Sequence, residues 1–419
     1  MGIDRSHYSP SLQRKIVYAG TAHGSFELGK QALQELADVE VTTKLVERLT
    51  EQIGNERVAE RNQAVAAFEE LPLTAKHQSP AGVASPKVAV VMVDGGRLQI
   101  LERGAHAKAS DEDMPAGRER GKHWREDKAT LLLTVDSEIS AADPCPEISE
   151  TFVDPTRILK LAREIHAVAA GQDGVTEPEE QPLGTEEASD EEVRYEPPVI
   201  VSRQVVASRR RWPDFAPLVA QAARTAGLLE AGRRAFVADG SDNNWAIQRR
   251  FFGSWTAIID FIHALSYVFA AATAGRKFAE GWPVYVRWIT WLWQGQAEQV
   301  IVELAQRQAE LGAPESSDGE TSPRRLVAEA LTYLQNHKDK MRYDEYRRQG
   351  LPITSSHMES LMKQINQRVK GTEKFWCEDG AEAVLQLRAD ILSDDRPLDA
   401  FWERREASQT GQRRYSKAA

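Results

Sequence analysis

The sequence predicts an α/β protein with helical regions before and after its strands. Three observations predict it. Residues 10 to 72 carry apolar side chains at helical spacing. Val88-Ala-Val-Val-Met-Val93 and Ala129-Thr-Leu-Leu-Leu-Thr-Val135 are continuous apolar runs of strand length. Helical character then returns from His263 onward.

Leu12, Ile16, Val17 and Ala19 open a first helix, and Phe26, Leu28, Ala32, Leu33 and Leu36 form a second. After a turn at Asp38-Val-Glu-Val-Thr-Thr43, Leu45, Val46, Leu49 and Ile53 share one face of a third. Residues 1–75 are compatible with a DNA-reading helix-turn-helix and equally with a plain helical bundle. Residues 76–87, with Pro80 and Pro86, read as a linker. Val88 to Val93 is a buried central strand, Gly95-Gly96 a turn, and Leu98-Gln-Ile-Leu101 a second strand. A polar, Lys/Arg-rich excursion from Gly104 to Lys128 precedes the third strand, Ala129 to Val135. A helix from about Thr156 to Ala170 leads into an acidic flexible segment, 171–197. A helix over Phe215 to Glu230 feeds the fourth strand, Ala235-Phe-Val-Ala238, and Trp255-Thr-Ala-Ile-Ile-Asp260 is the fifth.

The order βββαβαβ followed by a later helix is that of a ribonuclease H-like catalytic core, here spanning 88–262. In that fold the first and fourth strands are neighbours. Residues 263–350 form an all-helical insertion with a disordered middle at Gly312 to Pro323. Residues 351–405 supply the closing catalytic helix and the amphipathic helix Ala381 to Leu392, and 406–419 are a polar tail.

At 419 residues the chain predicts two or three domains, and 41% hydrophobic content with ten tryptophans predicts substantial cores. Cys145 and Cys377 lie far apart, which argues against a zinc site or a disulfide scaffold and fits a reducing cytosol. No apolar run approaches the roughly 20 residues that span a bilayer, and Met1 to Ser9 lacks a signal-peptide core. The expectation is a cytoplasmic protein. A net charge of −10 stands against a nucleic-acid partner. However, the run Glu177 to Glu196 supplies much of it, while Arg209-Arg210-Arg211, Arg233-Arg234, Arg249-Arg250, Arg347-Arg348 and Lys363 to Lys374 gather the opposite charge.

Asp94 and Asp239 each follow a strand and precede a glycine, which on the simplest reading makes them turn residues. At the ends of two strands predicted to be adjacent, they also read as a site. Ser356-His-Met-Glu359 has the pattern of a capping box, and Glu359 and Lys363 form an i,i+4 pair. Two strand-end acids and one helical acid can also converge on a pair of Mg²⁺ or Mn²⁺ ions, a set suited to phosphodiester chemistry. Lys363, Arg368 and Lys370, around the same helix, are candidate phosphate contacts. Asp260-Phe-Ile-His263 reads as a strand end and helix start, and it places an acid and an imidazole just past the fifth strand. The tryptophans from Trp282 to Trp293 form the core of the insertion or stack on unpaired bases.

Several segments carry a family resemblance. They are Ser9-Pro-Ser-Leu12, Val91-Met-Val-Asp-Gly-Gly96, His123-Trp-Arg-Glu-Asp-Lys128, Val237-Ala-Asp-Gly240, Asp260-Phe-Ile-His263 and Arg342-Tyr-Asp-Glu-Tyr346. Most specific is Gly350-Leu-Pro-Ile-Thr-Ser-Ser-His-Met-Glu-Ser360, continuing through Val369-Lys-Gly371, Trp376 and Gly380-Ala-Glu-Ala383. Over most of its length the chain resembles the ISKra-type bacterial insertion-sequence transposases, DDE enzymes related to the Mutator-like group. The resemblance implies that Asp94, Asp239 and Glu359 are the catalytic, metal-holding triad, and that Asp260 and His263 form the DxxH motif. It implies Mg²⁺ or Mn²⁺ as cofactor. The implied partner is double-stranded DNA, as terminal inverted repeats and target, bound by a homodimer or higher oligomer. Water activated by the metals would cut at the element ends, and the freed 3′-hydroxyl would attack target DNA. Members usually carry a cysteine-rich, zinc-binding segment ahead of the region that begins here at Gly2, and often have small residues and glycine where this sequence has Thr354 to His357. Two other readings stay open: a non-catalytic DNA-binding remnant of such an enzyme, and a ribonuclease H-like nuclease.

Overall fold

A computed structural model of the protein describes residues 8–101, 123–165, 198–371 and 374–407. The chain is a mixed α/β protein divided into two units. One comprises residues up to 135, 200–232 and from 356; the other comprises 136–199 and 233–355.

The first unit opens with α1 (Pro10–Ala22), α2 (Phe26–Ala37) and α3 (Thr43–Glu69). Each begins on a hydroxyl cap. Ser9, Ser25 and Thr42 accept hydrogen bonds from the backbone N–H groups of Leu12, Leu28 and Leu45. Asp38, in the left-handed region at φ 51°, ends α2 at the expected turn. Ile16, Ala19, Leu33, Leu45, Val46 and Leu49 form one core, as their spacing predicts. A single turn, α4 (Leu73–Lys76), follows.

The long α3 crosses α14 (Glu378–Leu392) at Gly54, where a Cβ would lie 2.6 Å from the Cβ and carbonyl oxygen of Ala383. Below that crossing the two helices are clasped by charge. The Arg57 guanidinium donates to Asp390 at 2.8 Å, and Arg61 reaches Glu382 at 2.8 Å and Gln386 at 3.0 Å. Asp390 is buried, so its pairing with Arg57 offsets a large desolvation cost.

The sheet of this unit is built on β1 (Val88–Ile100) and β2 (Trp124–Asp136), antiparallel in unbroken register from Val88 opposite Val135 to Gln99 opposite Trp124. This corrects two expectations. Gly95-Gly96 is not a turn, because the strand runs through it and takes in the predicted second strand. Trp124 to Lys128 belongs to a strand rather than to the polar excursion. Gly and Asp have weak strand propensity, but cross-strand pairing and a helix packed on the face outweigh it. β3 (Val199–Ser208), which had no sequence expectation, adds to the free edge of β2. β6 (Phe375–Trp376) pairs in parallel with the end of β1.

α6 (Trp212–Thr225) ends earlier than expected. Gly227, at φ 75°, separates it from a 3₁₀ turn over Leu228–Glu230. Helix α13 (Ser356–Val369) lies on β1, and α15 (Pro397–Ala407) closes the described chain.

In the second unit, α5 (Pro155–Ile165) precedes β4 (Arg233–Ala238), α7 (Asp242–Phe251) and β5 (Thr256–Ile259). β4 and β5 are parallel, with Ala235 opposite Thr256 and Ala238 opposite Ile259. Five helices follow, in the stretch expected to be helical: α8 (Phe261–Thr273), α9 (Phe278–Trp293), α10 (Ala297–Leu311), α11 (Pro323–His337) and α12 (Tyr343–Arg348). Their core is aromatic. Phe261 meets Phe152, Trp293 and Tyr343 edge-on, with ring centroids 5.0, 5.2 and 5.0 Å away. Trp288 and Trp293 are buried, the bland reading of the tryptophan run, while Trp282 and Trp291 are half-buried. The loop expected to be disordered, Gly312 to Pro323, follows a tied course: the Glu315 N–H donates to Asp318 at 2.8 Å, and Arg324 pairs with both.

The expected helix end at 166–170, the acidic segment 171–197, residues 102–122 of the excursion and the tail from 408 lie outside the described residues. Among the described residues, no helix is long and apolar enough to cross a membrane.

Arg57→Ala leaves the buried Asp390 carboxylate without its guanidinium partner, retaining the Gln386 Nε2 hydrogen bond at 2.8 Å, and is expected to cost about 3 kcal/mol in urea unfolding. Removing both partners together with Asp390→Leu should cost clearly less than the sum of the two single changes.

Candidate active site

In the first unit, Asp94 sits within β1, partly exposed, its Oδ1 accepting the Gly95 N–H at 2.7 Å. The strand register places it opposite Ala129, and Gly96 opposite Asp127. Side chains alternate along a strand and directly paired residues share a side, so Asp94, Gly96, Asp127 and Ala129 lie on one face. Helix α13 covers that face at Gly96. A Cβ there would lie 2.7 Å from Cε of Met362, and 2.9 and 3.0 Å from the two carboxylate oxygens of Asp127. Glu359 precedes Met362 by three residues and therefore projects from the same side of α13. β1 and α13 thus bring two of the predicted acids, Asp94 and Glu359, to one side of one strand. The helix includes Ser356, so Ser355 rather than Ser356 precedes its first turn, and the predicted capping box is out of register.

Asp127 has no predicted role, although it stands in the segment His123 to Lys128 that carries the resemblance, at the end of the polar excursion. It has 0% exposure, and outside its own backbone neither oxygen meets a hydrogen-bond donor among the described residues. Burial pushes its pKa up to about 6, against the pull of its own backbone N–H and of the Lys128 and Lys370 charges. Lys128 is not its partner. One residue on, it faces the other side of the sheet, with Nζ 3.0 Å from Glu126 and 5.1 Å from the Trp212 ring centroid.

Lys363 and Lys370 are exposed, as phosphate contacts require. Arg368 is not, and its predicted DNA-binding role is corrected. It is 2% exposed, its guanidinium lies 4.4 and 4.9 Å from the ring centroids of Phe26 and Trp376, and Nε donates to the Gly20 carbonyl at 3.0 Å. Burial, with the nearby Arg388, lowers its pKa to about 10. It is a structural cation of the core.

In the second unit, Asp239 follows β4. Its Oδ1 accepts from the Ser241 N–H at 2.9 Å and from Asn244 Nδ2 at 2.8 Å, an Asx turn that opens α7. The next residue, Gly240, is pressed against α11: a Cβ there would run into the Tyr333 ring and lie 3.3 Å from His337 Nε2. Tyr333 stacks on Tyr267 at 3.9 Å. A cavity of about 870 Å³ opens beside them, past Trp245 and His337 to Lys340. Burial pushes the Tyr333 hydroxyl well above the usual phenol range, and burial with the Lys340 charge holds the His337 imidazole below its ordinary value.

Asp260 caps α8 and is fully enclosed, at 0% exposure. It accepts from Ser355 N–H at 2.9 Å and Ile262 N–H at 3.3 Å, and lies 2.7 Å from His263 Nδ1. Burial alone would raise its pKa, but the His263 hydrogen bond and charge, with Ser355, hold it below the usual carboxylate range. Asp260, predicted as catalytic, is thus an enclosed carboxylate, and the side chain exposed beside it is that of its partner His263.

Among the described residues, no three His, Cys, Asp or Glu side chains stand together as a ready-made metal cage. The donor chemistry nevertheless fits a hard divalent cation, since such ions take few protein carboxylates and keep their waters. The unsatisfied buried oxygens of Asp127 are the kind of atoms that a cation would satisfy. No known protein-family profile matches the chain, and neither does any curated protein sequence.

Because folding raises the Asp127 pKa, the folded state binds this proton more tightly. In metal-free protein its contribution therefore falls as pH rises from about 4 to about 6 and stays low above that. Asp127→Asn is expected to be about 3 kcal/mol more stable than wild type at pH 7.5 in a chelating buffer, with the gap closing near pH 4. Urea unfolding across that pH range checks both the sign and the window.

Proposed function

We propose that this chain is a DDE-type DNA transposase with a ribonuclease H-like core, cutting the ends of a bacterial insertion sequence and joining them to target DNA. The packing of α13 on β1 at Gly96, which sets Glu359 on the side of the strand that presents Asp94, carries this reading. The order of elements supports the core assignment. The antiparallel hairpin β1–β2 is followed by β3, by α6 and β4, by α7 and the parallel β5, then by a run of helices and α13.

On the resemblance, Asp94, Asp239 and Glu359 are the residues that would hold Mg²⁺ or Mn²⁺. Such ions, when bound, polarise a phosphodiester and make water or a 3′-hydroxyl nucleophilic at neutral pH. The chain's own residues do the rest. The hydrogen bonds to Oδ1 hold the Asp239 carboxylate at the mouth of α7. The exposed Lys363 and Lys370 meet DNA backbone phosphates, which position the duplex without reading its sequence. Asp260 orients His263 through Nδ1. Assembly of two or more copies on paired element ends belongs to the same reading.

Incubation with terminal inverted-repeat DNA and Mg²⁺ or Mn²⁺ should yield metal-dependent nicks at the repeat ends. Asp239→Asn keeps an acceptor oxygen for Ser241 and Asn244, so it should fold and bind DNA while cleaving at least about a hundredfold more slowly. Equal cleavage by wild type and this variant would rule out the triad assignment, and a folded wild type that cuts no repeat DNA would rule out the enzyme.

A further inference from the structure

The geometry points to Asp127 as an additional acidic ligand of the divalent-cation site, binding the same ion as Asp94 on the β1–β2 face. This rests on the transposase reading and adds to it a residue outside the Asp94, Asp239 and Glu359 set.

Four observations converge on it. First, Asp127 is wholly enclosed, and outside its own backbone its carboxylate has no hydrogen-bond donor among the described residues. A buried, unsatisfied acid is costly, and ligation of a cation is one of the few reasons to retain it. Second, the antiparallel register makes Asp94 and Asp127 diagonal neighbours on one face. Such pairs sit about 7 Å apart, a span that two carboxylates can bridge through one ion bound about 2.1 Å from each oxygen. Third, the space is made by Gly96: both Asp127 oxygens point to where a Cβ would be, and the Met362 methyl closes the slot from above. Fourth, among the described residues no cation donates a hydrogen bond to it, although the charges of Lys128 and Lys370 act on it. Lys128 is turned to the opposite face with Glu126, and Arg125, the next residue on the Asp127 side, donates Nη1 to the Trp124 carbonyl at 3.0 Å. Two carboxylates and a remainder of water suit Mg²⁺ or Mn²⁺.

The test is Mn²⁺ binding to the full-length, metal-free protein, read by electron paramagnetic resonance of the unbound ion. Wild type, Asp94→Asn, Asp127→Asn and Glu126→Gln are compared, with circular dichroism confirming that each is folded. Asp94→Asn and Asp127→Asn should each weaken Mn²⁺ at least tenfold, whereas Glu126→Gln, on the other face, should not. Asp127→Cys should in addition shift preference from Mn²⁺ towards Cd²⁺, because sulfur replaces a hard oxygen. If Asp127→Asn binds Mn²⁺ like wild type while Asp94→Asn does not, the Asp127 assignment fails and the transposase reading stands. If wild type binds no Mn²⁺, both fail together.

Discussion

The absence of a side chain at Gly96 is the constraint on which the candidate site depends. A Cβ at that point of β1 would lie 2.7 Å from Cε of Met362 above it and 2.9 Å from an Asp127 oxygen beside it, so those side chains would have to move. Without one, α13 settles directly on the strand, and two consequences follow. Glu359 is carried to the face that presents Asp94, and the Asp127 carboxylate gains a pocket with no protein partner of its own outside its backbone. Strand register and helix seating are therefore coupled at a single residue. A one-residue slip of β2 would turn Asp127 to the opposite face and bring Lys128 or Glu126 opposite Gly96.

The second unit is arranged by polar contacts of a different kind. Asp239 is fixed by the turn that starts α7, and Asp260 is consumed by three hydrogen bonds that hold the start of α8, the Ser355 backbone and the His263 ring. The two aspartates look alike in the sequence, each just past a strand, but burial separates their roles. Asp239 keeps a partly exposed carboxylate, and Asp260 is enclosed against its histidine.

Much of this was legible before the fold. The helical faces of α1 to α3 and the apolar runs of β1, β2, β4 and β5 follow from spacing, and so do the helices α8 to α12. The rest depended on tertiary pairing. Trp124 to Lys128 contains no apolar alternation, so only its register with Leu98 and its neighbours makes it a strand and reveals Asp127. The same pairing hides the Gly95-Gly96 turn signal, because a glycine pair in a long paired strand looks locally like a hairpin tip. β3 alternates weakly and exposes Val199 and Val201, as an edge strand does. Arg368 was misread as a DNA contact although a signal was present. It follows Leu361 and Ile365 at seven and three residues, on the apolar side of α13, where a guanidinium must find aromatic rings and carbonyls instead of solvent.

The most direct test of the central claim is anomalous X-ray diffraction from crystals of the full chain soaked in Mn²⁺. A manganese peak within coordination distance of the carboxylates of Asp94 and Asp127, on the face covered by α13, is the predicted result. A fully loaded crystal with that face metal-free and manganese bound elsewhere would contradict it.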